Sequence, residues 1–206
     1  MGTPKTKGEA LTDTAKSYVR ELASQAIFGV DFEVSSKSMD KGIQCEQDSI
    51  DLFNLVTGRS LSKNTVRLSD DYLTGECDLL DGEEVVDIKT AWSVATFPLS
   101  AEDVTKPQRD LYEYQLRAYM RLWNKPRASI AYCLVDTPEN LIGFEPIQLH
   151  VVGHIPPHLR VTRWSFDRDM GIEAQMVEKI KAARAYYYQV IAEFDATHRE
   201  LAEAVA

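Results

Sequence analysis

Cysteine is scarce and badly spaced for disulfide or metal chemistry. Cys45, Cys77 and Cys133 lie far apart, are odd in number and form no C-x-x-C pair. A disulfide framework and a structural zinc or iron–sulfur site are therefore excluded, and a reducing cytoplasm fits. No apolar run approaches the roughly 18 residues that span a bilayer, and the lysine-bearing start lacks the apolar segment of a secretory signal. A soluble protein with no membrane role is expected. The G-x-x-x-x-G-K-[ST] phosphate loop is missing, so the chain carries no obvious ATP motor. Positive charge is in deficit: 23 Lys and Arg against 32 Asp and Glu leave a net charge of −9 and a pI near 5.0. That balance excludes broad adhesion to nucleic acid through a basic surface. It does not exclude nucleic acid itself, because divalent cations in an acidic cleft reverse the local sign. Repeats and low-complexity segments are also absent. His150, His154 and His158 recur every four residues, but Gly153, Pro156 and Pro157 prevent the single helix that would align them as ligands. They read as loop or strand residues.

What is present is enough apolar material, 44% of 206 residues, for one core. A single domain over residues 1–206 is expected, with a flexible tail over 1–10. Thr12 or Asp13 caps a first helix to about Ile27, with Gly29 ending it, and a second helix is expected from Lys41 to Gly58. Residues 66–90 turn β-branched and alternating around Asp81-Gly82-Glu83-Glu84, the pattern of a hairpin of two strands. Residues 92–107, with two prolines, read as an exposed loop. A helix follows from Gln108 to Trp123, then strands over 128–135 and 160–166 and a long helix over 167–194. The sum is an α/β (α+β) domain with a central mixed sheet flanked by helices.

The hairpin carries the chemistry. With Gly82-Glu83 at the centre of a type II′ turn, Asp81 pairs with Glu84 and Asp78 stands opposite Asp87, with Lys89 on the face of Asp87; a three-residue loop would make the two aspartates diagonal neighbours instead. Leu79, Leu80, Val85, Val86 and Ile88 make both strands apolar on both faces, as in a buried central hairpin. Two facing aspartates in such a place repel and call for a cation. Oxygen-only ligands suit magnesium, with manganese as a substitute. Lys89 is placed to orient an attacking water or to stabilise charge on a phosphorane-like transition state.

Gly75-Glu76-Cys77-Asp78 followed by Val85-Val86-Asp87-Ile88-Lys89-Thr90 resembles the core motif of the PD-(D/E)XK nuclease superfamily, with Cys77 where the eponymous proline would stand. The resemblance implies a restriction-endonuclease-like core, Asp78 and Asp87 as metal-binding carboxylates, the Ile88 carbonyl as a further ligand, and Lys89 as the catalytic lysine. Upstream, Lys41-Gly42-Ile43-Gln44-Cys45-Glu46 resembles the acidic helix of lambda-exonuclease-like phage recombination nucleases. Ile43, Glu46, Ile50 and Phe53 share helical spacing, so Glu46 sits in an apolar stripe and by the resemblance completes the metal site. Downstream, Gln115 and Tyr119 match the Q-x-x-x-Y signature, which implies an active-site glutamine and a tyrosine that serves DNA or the support of the site.

Trp92 and Phe97 in the following loop are candidates to stack on or wedge DNA ends. Lys41 and Arg109, with Lys37 and Lys106, are candidate DNA-binding cations. The resemblance implies a magnesium-dependent exonuclease acting on duplex DNA ends in the cytoplasm of a bacterial host. It also implies a closed homo-oligomer, with a trimeric ring as the candidate form, that works beside a single-strand annealing protein. The competing readings are an endonuclease or single-strand nuclease on the same fold, or a non-catalytic DNA-binding or inhibitor module.

Overall fold

The computed structural model describes residues 8–105 and 109–205, with side chains over 8–104 and 111–199. Most of the expected tail, and Lys106 and Pro107, lie outside them. The chain groups into two compact units, Met1–Val34 with Met170–Ala206, and Ser35–Asp169.

The first unit is a helix pair. Helix α1 spans Asp13–Phe28; the Thr12 hydroxyl accepts from the Ala15 amide at 3.1 Å, and Gly29 ends the helix at φ 65°. The closing helix, Met170–Val205, is longer than expected because no Gly or Pro interrupts the chain beyond Phe194. Arg20 meets the Tyr186 hydroxyl and Phe28 meets Phe194 edge-on, so the two helices run parallel.

The second unit holds the sheet. The expected helix 41–58 is two helices, α2 Lys37–Gln44 and α3 Glu46–Thr57, broken at Cys45 where the backbone leaves helical values at φ −109°, ψ 17°. The break splits the proposed apolar stripe: Ile50 and Phe53 are fully buried, but Ile43 is 78% exposed. Residues 66–90 hold four short strands rather than two. Leu68–Ser69 (β1) and Thr74–Gly75 (β2) form a small ladder of their own. Its turn is held by Asp70, whose carboxylate accepts from the Tyr72 and Leu73 amides.

Strands β3 (Leu79–Asp81) and β4 (Glu84–Thr90) form the hairpin in the expected register, Asp81 opposite Glu84. Gly82 takes φ 54° and Glu83 does not, as a type II′ turn requires. Loop 92–105 contains a 3₁₀ turn at Val94–Thr96 and a short helix, α4 Ala101–Thr105. Then come α5 Arg109–Leu122, β5 Arg127–Cys133, α6 Glu139–Ile142 and β6 Val161–Asp167, with the closing helix as α7.

The sheet order is β3-β4-β5-β6, with β4 and β5 parallel and both outer pairs antiparallel. Helix α3 covers one face, where Ile50 and Phe53 meet Val86, Ile88, Ala131 and Cys133. Helix α5 covers the other, where Leu116 and Met120 meet Val85, Ala128 and Ile130. A central strand buried on both sides must be apolar on both sides, so the charged groups of β4 stand out chemically.

Candidate active site

Three local devices assemble the site at the end of the hairpin. Ladder pairing of β3 with β4 stops at Leu79 opposite Val86. One residue before that end, the Asp78 carboxylate takes over the role of a strand carbonyl and accepts the Ile88 amide at 2.7 Å. Asn64 closes the outer edge: its amide donates to the Asp78 carbonyl at 2.7 Å, and its side chain donates to the Cys77 carbonyl at 3.0 Å. Asp78 is thereby fixed in place by backbone on both sides.

Asp87 is buried on β4, and its Oδ2 lies 2.6 Å from the Lys89 ammonium. At that distance the ammonium is the charge partner of Oδ2 and favours the ionised form of Asp87 against burial. Lys89 continues over the Tyr112 ring, 4.9 Å from its centre, and Tyr132 stands beside it in register on β5.

The electrostatics follow from burial. Desolvation, and then the negative charge of Asp87, push the Asp78 carboxyl up to about 7, with the Ile88 amide pulling the other way. Asp87 is raised as well, chiefly by burial, against the pull of Lys89. Burial works against the Lys89 charge, yet Asp87 and Asp78 outweigh it and hold the ammonium above its ordinary range. One cation is thus shared by two carboxylates that burial disfavours.

A cleft of about 500 Å³ opens over this cluster, lined by Asp78, Ile88, Lys89 and Thr90 on the sheet side and by Met39, Gly42, Ile43 and Glu46 on the helix side. Glu46 therefore reaches the same cleft as Asp78, 32 residues later in the chain. Its carboxylate is engaged by Lys63, which also lines the cleft. Among the described residues, no three Asp, Glu, His or Cys side chains converge tightly enough to enclose a metal alone. The donor set is instead the two aspartates of the hairpin, the backbone carbonyl of Ile88 that follows Asp87, and Glu46 across the cleft. An oxygen-only set of this kind fits a hard divalent ion.

Gln115 stands on α5 and donates to the Tyr119 hydroxyl at 2.8 Å. Burial raises Tyr119, which also senses Asp87, Asp78 and Lys89. The same ring lies against Gly75, where an added Cβ would come within 2.7 Å of it. The pair supports the site from the side of α5 rather than lining the cleft.

The expected DNA-contacting residues fare differently. Lys41 is 0% exposed and donates to the carbonyls of Ala91, Trp92 and Val135, so it is no surface cation; a side chain four carbons long on the inner side of α2 reaches the sheet instead of solvent. Trp92 donates to the Glu145 carboxylate at 3.1 Å and packs edge-on against the buried His150. Phe97 packs against Ala91, Leu134 and Val152. Both rings anchor the loop. Arg109 starts α5, but its side chain lies outside the described residues.

Sequence reading did not find Lys63, Asn64, Tyr112 or Tyr132. Lys63 and Asn64 lie in irregular chain with no periodicity to interpret, and Tyr132 is identified only by its β5 register. Tyr112 alone had a local signal, three residues before Gln115 on the same helix.

No family model matches the sequence, and no curated protein sequence is similar to it. Solved structures are. A phage-related exonuclease from Haemophilus somnus 129PT is 33% identical, covers 94% of this chain and 91% of its own, and superposes with a TM-score of 0.87. The alkaline exonuclease LHK-Exo from Laribacter hongkongensis shares the fold at 16% identity and a TM-score of 0.62, covering 95% of this chain and 90% of its own. Its complex with dAMP gives a TM-score of 0.60 over 92% and 86%.

Proposed function

Because the chain belongs to the phage-related exonucleases of the PD-(D/E)XK nuclease superfamily, we propose that it is a divalent-metal-dependent deoxyribonuclease that digests duplex DNA from its ends during phage or prophage recombination. The observation that carries this reading is the placing of the half-buried Asp78 and the buried Asp87 around one lysine, beneath a cleft that Glu46 reaches from its far side. Two carboxylates around a single ammonium leave a surplus of negative charge that a bound cation would offset.

Asp78, Asp87, the Ile88 carbonyl and Glu46 are the groups that would hold magnesium, or manganese in its place. Such an ion supplies Lewis acidity at phosphorus and lowers the pKa of a bound water. The chain's own residues supply the rest. Held above the ordinary lysine range by two carboxylates, Lys89 is an ammonium at working pH. It therefore orients water and stabilises negative charge on the phosphoryl oxygens rather than accepting a proton. Tyr112 presents its ring face to the Lys89 ammonium, a cation–π contact that helps to hold the charge in place. Gln115 and Tyr119 brace α5 against the strand.

DNA as substrate draws support from LHK-Exo, which shares the fold and binds dAMP. A single-strand annealing partner, a cytoplasmic location and a closed ring belong to the same proposal. No described helix is long and apolar enough to cross a membrane. The deciding assay compares end-labelled linear duplex with covalently closed circles, each with magnesium and with chelator. Loss of linear DNA alone, only with metal, is expected. Cleavage of closed circles would make the protein an endonuclease, and retention without cleavage would make it a binder.

A further inference from the structure

Lys41 heads the largest fully buried side chains among the described residues. Its ammonium donates to Ala91 at 2.8 Å, Val135 at 2.9 Å and Trp92 at 3.0 Å, all backbone carbonyls. Three N–H groups meet three acceptors from two separate chain segments, and the donor comes from a third, α2.

The location of those carbonyls gives the contact its meaning. Ala91 and Trp92 leave β4, and Val135 leaves β5. These are the parallel pair at the sheet centre, where the chain departs from the ladder and its carbonyls need new donors. Ala91 lies two residues beyond Lys89. On the other side, Met39, Gly42 and Ile43 flank Lys41 in sequence and form the helix wall of the cleft. A single ammonium thus joins the wall of the cleft to the end of the strand that carries Asp87 and Lys89.

We infer that Lys41 is a positioning residue for phosphodiester cleavage: its ammonium holds the α2 wall of the cleft in register with β4. The inference rests on the nuclease reading above. Lysine suits the task because it is a compact point charge with three rotatable donors. A methionine of similar length would fill the space, strip the Ala91 and Val135 carbonyls of this donor, and leave Trp92 with the Thr137 hydroxyl. The charge is kept without a carboxylate bonded to it; burial lowers it to about 8, with Cys45 and Asp136 nearby acting in the opposite direction.

The test compares full-length wild type, Lys41→Met and Lys41→Arg. Hydrogen exchange of the metal-free proteins is read at 37–46 and 88–92, and cleavage of linear duplex is read well below each variant's melting midpoint. Lys41→Met is expected to exchange faster in both segments together and to lose about 10²-fold in kcat, the effect of misplacing groups by roughly an ångström. KM for DNA ends should stay near wild type, and Lys41→Arg should recover most of kcat. If Lys41→Met does not fold, Lys41→Gln takes its place with the same readings. Unchanged exchange at 88–92, or a kcat loss no larger than the unfolded fraction, would overturn the inference. A wild type that cuts nothing with either metal would refute the nuclease reading instead, and the exchange comparison would still decide whether Lys41 ties wall to strand.

Discussion

A buried carboxylate needs a compensating charge, and at Asp87 that charge is the Lys89 ammonium 2.6 Å away. Lys89→Met should therefore lower cleavage by about 10²–10³-fold while circular dichroism stays native. Asp87→Asn should abolish metal-dependent cleavage. Wild-type rates in either variant would remove the proposed site.

The raised carboxyl of Asp78 gives a pH signature with a definite sign. The folded, metal-free protein keeps that proton up to about 7, whereas the unfolded chain releases it near the ordinary value of 3.8. Between those values the unfolded state binds fewer protons, so stability falls as pH rises from about 4 to about 7 and then levels. Asp87 shifts in the same direction. Manganese competes with that proton, so thermal melts should show a larger metal-induced rise in Tm at about pH 8 than at about pH 5.5. Asp78→Asn should flatten both effects. Equal metal shifts at the two pH values would contradict the assignment.

At the level of elements, two glycines hold the geometry for different reasons. Gly82 sits at φ 54° in open space, so its role is conformational. Gly82→Ala should cost about 1 kcal/mol in urea unfolding with little loss of cleavage per folded molecule. Gly75 has ordinary backbone but no room: a Cβ there would come within 2.7 Å of the Tyr119 ring. Gly75→Ala should cost about 1–3 kcal/mol through overpacking. It should also lower kcat, because the displaced ring carries the Gln115 bond with it. A Gly75→Ala variant with native stability would show that α5 can retreat freely.

At the scale of the molecule, charge sets the problem. A chain of net charge −9 has little basic surface to hold a polyanion between cuts. Encirclement by a closed oligomer solves this by topology, and a trimeric ring is the proposed form. Light scattering should give a single oligomeric species at working concentration. Digestion of a preloaded duplex should continue after excess competitor DNA is added. A monomer released by the competitor after each cut would leave the nuclease site in place and remove the ring.

Local features of the sequence determined the chemistry. The type II′ turn at Gly82 set the hairpin register, which directs Asp78 toward Asp87 and puts Lys89 two residues further on. Caps at Thr12, Gly29 and Gly58 marked helix ends because capping is a matter of neighbouring residues. What depended on distant partners was not legible. Helical spacing could not reveal the break at Cys45, which turns Ile43 outward to the cleft and Lys41 inward to the sheet. Nor could it tell a lysine that meets solvent from one that meets three carbonyls, since both sit on the same amphipathic helix. Lys63 and Tyr132 join the site through a loop path and a strand register that only the packed chain defines. Sequence fixes what a residue can do within a few positions of itself; burial and the choice of partner across the chain are decided when the elements pack.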